Sequence, residues 1–270
     1  APTIATTGSQ TYNDPMTLLS NTVLSSNGAA ALGNISFNNT LTGDKTLTVN
    51  TAGTTLFDKA VSIGQLTTDL AGFVQINAPT VATTGTQTYN DAMTLLSNTV
   101  LSSTGAGALG NISFNNTITG DKTLDVNTAG TTLFDKAVSI GQLTTDLAGA
   151  VQVNAPTIAT TGTQTYNDAM TLLSNTVLSS TGAGAAGNIS FNNTITGDKT
   201  LTVNTAGTTL FDKAVSIAQL TTDLAGFVQV NAPTVATTGT QTYNDAMTLL
   251  SNTVLSSTGA GAVGNISFNN

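Results

Sequence analysis

Asn111-Ile112-Ser113-Phe114-Asn115-Asn116-Thr117-Ile118-Thr119-Gly120-Asp121-Lys122-Thr123-Leu124-Asp125-Val126-Asn127 decides the fold class. Apolar and polar residues alternate in short runs, the period-two signature of a strand with one buried and one wet face. Thr119-Gly120-Asp121 breaks the pattern with turn-forming residues. The same alternation returns in Ala137-Val138-Ser139-Ile140 and Val151-Gln152-Val153-Asn154, with breaks at Ser103-Thr104-Gly105, Thr128-Ala129-Gly130 and Ala148-Gly149. Residues 91–96 and 142–147 could pass for helical turns, but they are too short and too rich in weak helix formers to stand as helices. The chain reads as all-β.

Moving outward, the stretch belongs to a 77-residue unit that opens at Ala1, Ala78, Ala155 and Ala232. This defines copies 1–77, 78–154 and 155–231 and a partial copy 232–270. Copies two and three differ at only five positions: Val81/Ile158, Leu109/Ala186, Asp125/Thr202, Gly141/Ala218 and Ala150/Phe227. Near-identical copies build a uniform object in which each unit buries its apolar face on the next.

A weaker inner repeat runs through each copy. Tyr89-Asn90-Asp91-Ala92-Met93, Phe114-Asn115-Asn116-Thr117-Ile118 and Phe134-Asp135-Lys136-Ala137-Val138 share one pattern, and Val153-Asn154 follows as a version without the aromatic. Spacings of 25, 20 and 19 residues approximate one coil of a solenoid. Three or four coils per copy follow, with the leftover 13 residues closing the unit. The expected architecture is a parallel β-helix, one continuous solenoid. Stacked Val, Ile, Leu and Phe fill its bore, Asn115, Asn127 and Asn154 form amide ladders, and Thr and Ser face outward. The alternative is a string of small β-sandwiches, one per copy. Against it, each copy lacks Trp and has few aromatics for a two-sheet core.

Composition narrows the chemistry. The chain has no Glu, Arg, His, Cys or Trp; 14 Asp and six Lys give a net charge of −8. Without His or Cys, the commonest general base, thiolate nucleophiles, disulfides and thiolate zinc are gone. Without Arg there is no bidentate phosphate clamp. A net negative surface repels nucleic acid and anionic lipid. No apolar run reaches the ~20 residues of a membrane span. No basic segment precedes an apolar one at Ala1, so any export signal lies outside these residues or has been removed.

Several motifs invite a functional reading. Asp121-Lys122 and Asp135-Lys136 recur in every complete copy and read as solvated turns and strand edges. Calcium would find oxygen ligands there, yet no D-x-D-x-D-G loop or glycine-aspartate nonapeptide is present, so at most weak calcium binding is left open. A Lys–Asn isopeptide link needs a buried Lys, and every Lys sits in a polar stretch beside an Asp. Glycoside chemistry needs two carboxylates set apart from all others, whereas here equivalent Asp residues fill every copy. Thr117-Ile118-Thr119 and Thr200-Leu201-Thr202 are T-x-T triplets of the kind that bind ice when ranked on one face, but other segments interrupt the rank. Tyr12, Tyr89, Tyr166 and Tyr243 recur once per copy, in the slot the inner repeat otherwise gives to Phe, and so are expected inside rather than stacked on sugars. No catalytic, cofactor-binding or metal-binding residue is expected.

The segments TGTQTYNDAMTL (84–95), GNISFNNTITGDKTLTVN (187–204) and TTLFDKAVSIG (131–141) resemble the Thr/Asn/Gly-rich repeats of filamentous-haemagglutinin-like adhesins and autotransporter passengers. That resemblance implies a right-handed parallel β-helix on the bacterial cell surface, acting as an extracellular stalk or adhesin. The secretion domain and anchoring barrel of that family have no counterpart in these residues. The expected function is structural and non-enzymatic: a self-stacking fibre, or a piece of a longer array, whose partners are further copies of itself. The alternative is an adhesin that binds surface glycans.

Overall fold

A computed structural model describes residues 1–269 except 70, 147 and 224, and it divides into two compact units, Ala1–Lys136 and Ala137–Asn270. Among the described residues the first holds nineteen strands, from Thr3–Thr6 to Thr131–Phe134. Each strand pairs in parallel with the one three places further along the chain, so the backbone visits three sheets in turn and three strands make one coil. The second unit, from Val138–Ile140 to Ile266–Phe268, repeats this plan with nineteen more. Among the described residues the only other regular elements are four 3-10 turns, Ala30–Gly33, Gly107–Gly110, Gly184–Gly187 and Gly261–Gly264. Each unit is therefore a parallel β-solenoid. The sandwich string is ruled out, because its sheets would be antiparallel. Ala92–Leu95 and Gln142–Thr145, within the two stretches that could pass for helix, are strands; Leu147 lies outside the described residues.

Parallel stacking turns alternation into columns. In one sheet of the first unit, Tyr12, Phe37, Phe57, Ile76 and Leu95 stand in register on successive coils. In another, Val49, Thr68, Tyr89, Phe114 and Phe134 do the same. The inner repeat is thus the coil: its aromatics stack, with Tyr89–Phe114 and Phe114–Phe134 ring centroids 5.5 and 5.3 Å apart and nearly parallel. In the second unit Tyr166–Phe191 and Phe191–Phe211 repeat the geometry at 5.5 and 5.3 Å. The 25-residue coil is longer than its neighbours because it carries the 3-10 turn Gly107–Gly110 at a corner.

The count of coils falls between three and four. Copy 1 contains eleven strands, from Thr3–Thr6 to Phe73–Ile76, and so makes three and two-thirds coils. The leftover 13 residues, from Ile76 to Tyr89, do not close a coil; they advance the chain by two strands. Each copy consequently starts on a different sheet. Thr3–Thr6 pairs with Thr22–Ser26 in one sheet, while its counterpart Thr80–Thr83 pairs with Val61–Ile63 and Thr99–Ser103 in another. The second unit shows the same step: Tyr166 and Tyr243 lie in different sheets.

Two expectations about side chains need correction. Threonine does not only face out: Thr55, Thr68, Thr132 and Thr209 are fully buried, their methyl groups suiting a column that also holds Val and Leu. The asparagine ladders are pairs rather than continuous rows. Asn115 Nδ2 donates to Asn90 Oδ1 at 2.7 Å, while Asn127 is exposed opposite Ser102, with no asparagine to join. Asn77, the counterpart of Asn154, donates to an aspartate instead, Asp58 Oδ1 at 2.6 Å.

Truncating the middle ring of a stack tests the columns. Phe114→Ala is expected to destabilise by about 3–5 kcal/mol, and Phe114→Leu by much less because leucine already occupies the equivalent columns; urea denaturation of both measures the difference.

Candidate functional site

Polar chemistry gathers in three places: Asp–Lys turns, a glutamine–tyrosine hub and a buried aspartate at one corner. The turns are as the sequence implies. Asp121 and Lys122 pair at 3.0 Å and Asp44 and Lys45 at 3.1 Å, both at the surface. The hydrogen bond and charge of the adjacent lysine hold Asp44, Asp121 and Asp198 below the ordinary carboxylate range. Such exposed pairs add little to stability.

Lys59, Asp58 and Asn77 do come together, as an isopeptide triad would require: Lys59 Nζ lies 2.9 Å from Asp58, whose other oxygen accepts the Asn77 amide. The chemistry runs the other way, however. The Asn77 amide first, and then Lys59, keep the Asp58 carboxyl below its usual range, so it is not a proton donor, and the Lys59 side chain is 56% exposed. The triad is an ion pair capped by an amide.

The hub is built from Gln87 and its counterparts. Gln87 Nε2 donates to Ser102 O at 2.7 Å, Val81 O at 3.1 Å and Thr83 Oγ1 at 3.2 Å, and its Oε1 accepts the Tyr89 hydroxyl at 2.8 Å. The network recurs at Gln164–Tyr166 and Gln241–Tyr243. Tyr89 and Tyr166 are buried, as expected, and burial raises their hydroxyl pKa values well above the ordinary range. They offer no ring to a sugar.

The corner aspartates were not singled out from the sequence. Asp91, Asp168 and Asp245 are buried. In each, Oδ1 accepts a glycine N–H from the preceding coil: Gly72 at 2.9 Å, Gly149 at 2.8 Å and Gly226 at 2.8 Å. Gly72 has no room for a side chain, since a Cβ there would stand 2.3 Å from Gly53 O. Asp69, Asp146 and Asp223 sit one coil earlier at the same corner, and their charge reinforces the burial that raises the inner carboxyls. A missing neighbouring Lys was no signal for them, since Asp69, Asp125, Asp146 and Asp223 lack one as well.

The outer faces carry hydroxyl ranks of limited length. Thr48, Thr67, Thr88 and Ser113 align on four coils, flanked in register by Val23 and Leu133. Elsewhere threonines satisfy one another, as Thr94 and Thr119 do at 3.2 Å. Among the described residues no three acidic side chains converge as a metal site would require.

Gln87→Leu fits the Leu66–Gln87–Ile112 column in shape but leaves the Ser102 carbonyl and the Tyr89 hydroxyl without partners. A loss of about 2–4 kcal/mol is expected, against about 1 kcal/mol for Tyr89→Phe, both read from urea midpoints. No protein-family model matches the chain, and no curated protein or solved structure matches it either.

Proposed function

We propose that the chain is a structural shaft, a non-catalytic β-solenoid array whose reach is set by the number of copies. The observation that carries this reading is the use of the repeat itself: apolar residues from successive coils fill the bore, and many polar side chains, such as Gln87, Asn115 and Asp91, bond one coil to the next. Apart from Asp125, which stands in a strand of copy 2 alone, the aspartates recur copy after copy, either beside a lysine or at a corner. A catalytic site would require one place unlike the rest.

The partners of such a shaft are further copies of the same repeat, in the same chain or in another, because each coil presents its strand edges to the next. An extracellular, cell-surface setting suits a chain this low in charge and rich in Thr, Asn and Gly. No helix among the described residues is long and apolar enough to cross a membrane.

A second reading, glycan binding, draws on one observation. Phe73 and Phe227 project from their strands at 59% and 60% exposure, rings of the kind on which sugars stack; copy 2 has Ala150 at that place. Under that reading Phe73→Ala plus Phe227→Ala abolishes retention on a glycan array, whereas a purely structural shaft shows no retention to lose.

Chains of three, six and nine copies separate a shaft from other forms. Three and two-thirds coils at the parallel strand spacing give a rise of about 18 Å per copy, measurable by small-angle scattering or electron microscopy. Growth clearly below that value would mean the copies fold back on one another, and the shaft reading would fail.

A further inference from the structure

We propose that each junction between consecutive copies carries a buried proton-binding site, formed by corner carboxyls of consecutive coils, that makes the solenoid more stable in mild acid than at neutral pH. The sites are Asp91 with Asp69, Asp168 with Asp146, and Asp245 with Asp223. The inference stands apart from the shaft reading and would hold whatever the chain does.

The geometry of the inner carboxyl carries it. Asp91 is 1% exposed; its Oδ1 is fixed by the Gly72 N–H, and its Oδ2 has no hydrogen-bond partner. Asp168 and Asp245 share the arrangement, with Oδ2 again unpartnered. An ionised carboxylate can only accept hydrogen bonds, so a bare buried oxygen bearing charge keeps the full cost of leaving water. A proton removes the charge and turns that oxygen into a donor. Thr145 and Thr222 stand beside Asp168 and Asp245 and are also fully buried; their hydroxyls can donate to the carboxyl and favour its charged form, but burial outweighs them.

Nothing charged offsets the carboxylate. The preceding coil brings Asp69, a like charge, and the following coil brings Asn115, Asn116 and Thr117 to the same corner, none of them titratable. The second site has Asp146 before it and Asn192, Asn193 and Thr194 after it; the third has Asp223 before it and Asn269 after it. The lysines stand in surface ion pairs of their own. A divalent cation would also neutralise the corner, and its effect on stability separates the two cases.

Burial, followed by the like charge of the outer aspartate, pushes Asp91 and Asp168 up to about 6 and raises Asp245 as well. The folded state thus holds protons that the unfolded chain, with its ordinary carboxyls near 3.8, has released. Stability is highest while the inner carboxyls are protonated and falls as pH climbs from about 4 through about 6. The lysine-paired aspartates act in the opposite direction, but only at lower pH, where they begin to protonate. The corner effect sums over copies, as repeat stabilities do.

Thermal unfolding of the full chain is the test. The wild type is expected to melt at least about 5 °C lower at pH ~7.5 than at pH ~5. The triple variant Asp91→Asn, Asp168→Asn, Asp245→Asn places a neutral amide where the protonated acid stood. It is expected to lose that pH dependence and to melt at neutral pH near the acid value of the wild type. Carbon-13 NMR of the wild-type carboxyls gives a reading independent of whether the variant folds, with Asp91 and Asp168 titrating near 6 and Asp245 above the ordinary carboxylate range. A wild type equally or more stable at neutral pH, or carboxyl titrations confined to the ordinary range, would overturn the proposal. So would rescue of neutral-pH stability by calcium chloride in the wild type but not in the variant, which would make the corner a cation site.

Discussion

Parallel pairing of each strand with the strand one coil on is the constraint from which the rest follows. It commits the backbone N–H and C=O groups to the neighbouring coil and fixes every inward residue as a member of a column. A column tolerates either stacked apolar groups or polar groups that satisfy one another along the same direction. The Tyr89–Phe114–Phe134 rings are the first kind and the Gln87–Ser102–Tyr89 network is the second. Buried threonines such as Thr55 and Thr132 also leave a hydroxyl oxygen unpartnered, but the corner aspartate is the ionisable case, and so it is where solution conditions have most leverage.

Eleven strands against three per coil is the second organising fact. Because eleven is not a multiple of three, each residue of the repeat lies in a different sheet from its counterpart in the next copy. Phe37 stacks on Phe57 from the same copy and then gives way to Ile76 and Leu95. Each column therefore draws on different parts of the repeat, and Asp91 meets Asp69 and Gly72 on the preceding coil and asparagine on the following one. Near-perfect repetition in sequence is compatible with varied packing in space.

Most of the fold could be read from the residues. Alternation in Thr123–Thr128 and Ala150–Val153 gave strands, and the aromatic spacing gave the coil, because a ring must meet a ring or an aliphatic side chain one coil on. The two-thirds coil escaped notice because the 13 residues from Ile76 to Tyr89 contain no aromatic to mark a stacking partner. The candidate site was less legible. Asp91 lies in a polar run, Thr88-Tyr89-Asn90-Asp91, that looks like any solvated turn, and the inner repeat sets Asn116 and Lys136 in its place. Its burial comes from Gly72 of the preceding coil, which lets two loops close over it, a contact between residues nineteen apart.

The chain's low charge has a structural reason as well. A column spaced at the strand separation of about 4.8 Å would set like charges closer than a Debye length, where salt screens them poorly. Threonine, asparagine and glutamine replace them, because a hydroxyl or amide can both donate and accept, and so a polar group can serve the coil on either side. Asn90 does both: its Nδ2 donates to Thr68 O at 2.6 Å while its Oδ1 accepts from Asn115 at 2.7 Å. Carboxylates and ammonium groups lack this two-sided capacity. That is why lysine is confined to turns with an aspartate beside it, and why the aspartate that enters a corner must borrow a proton to become two-sided.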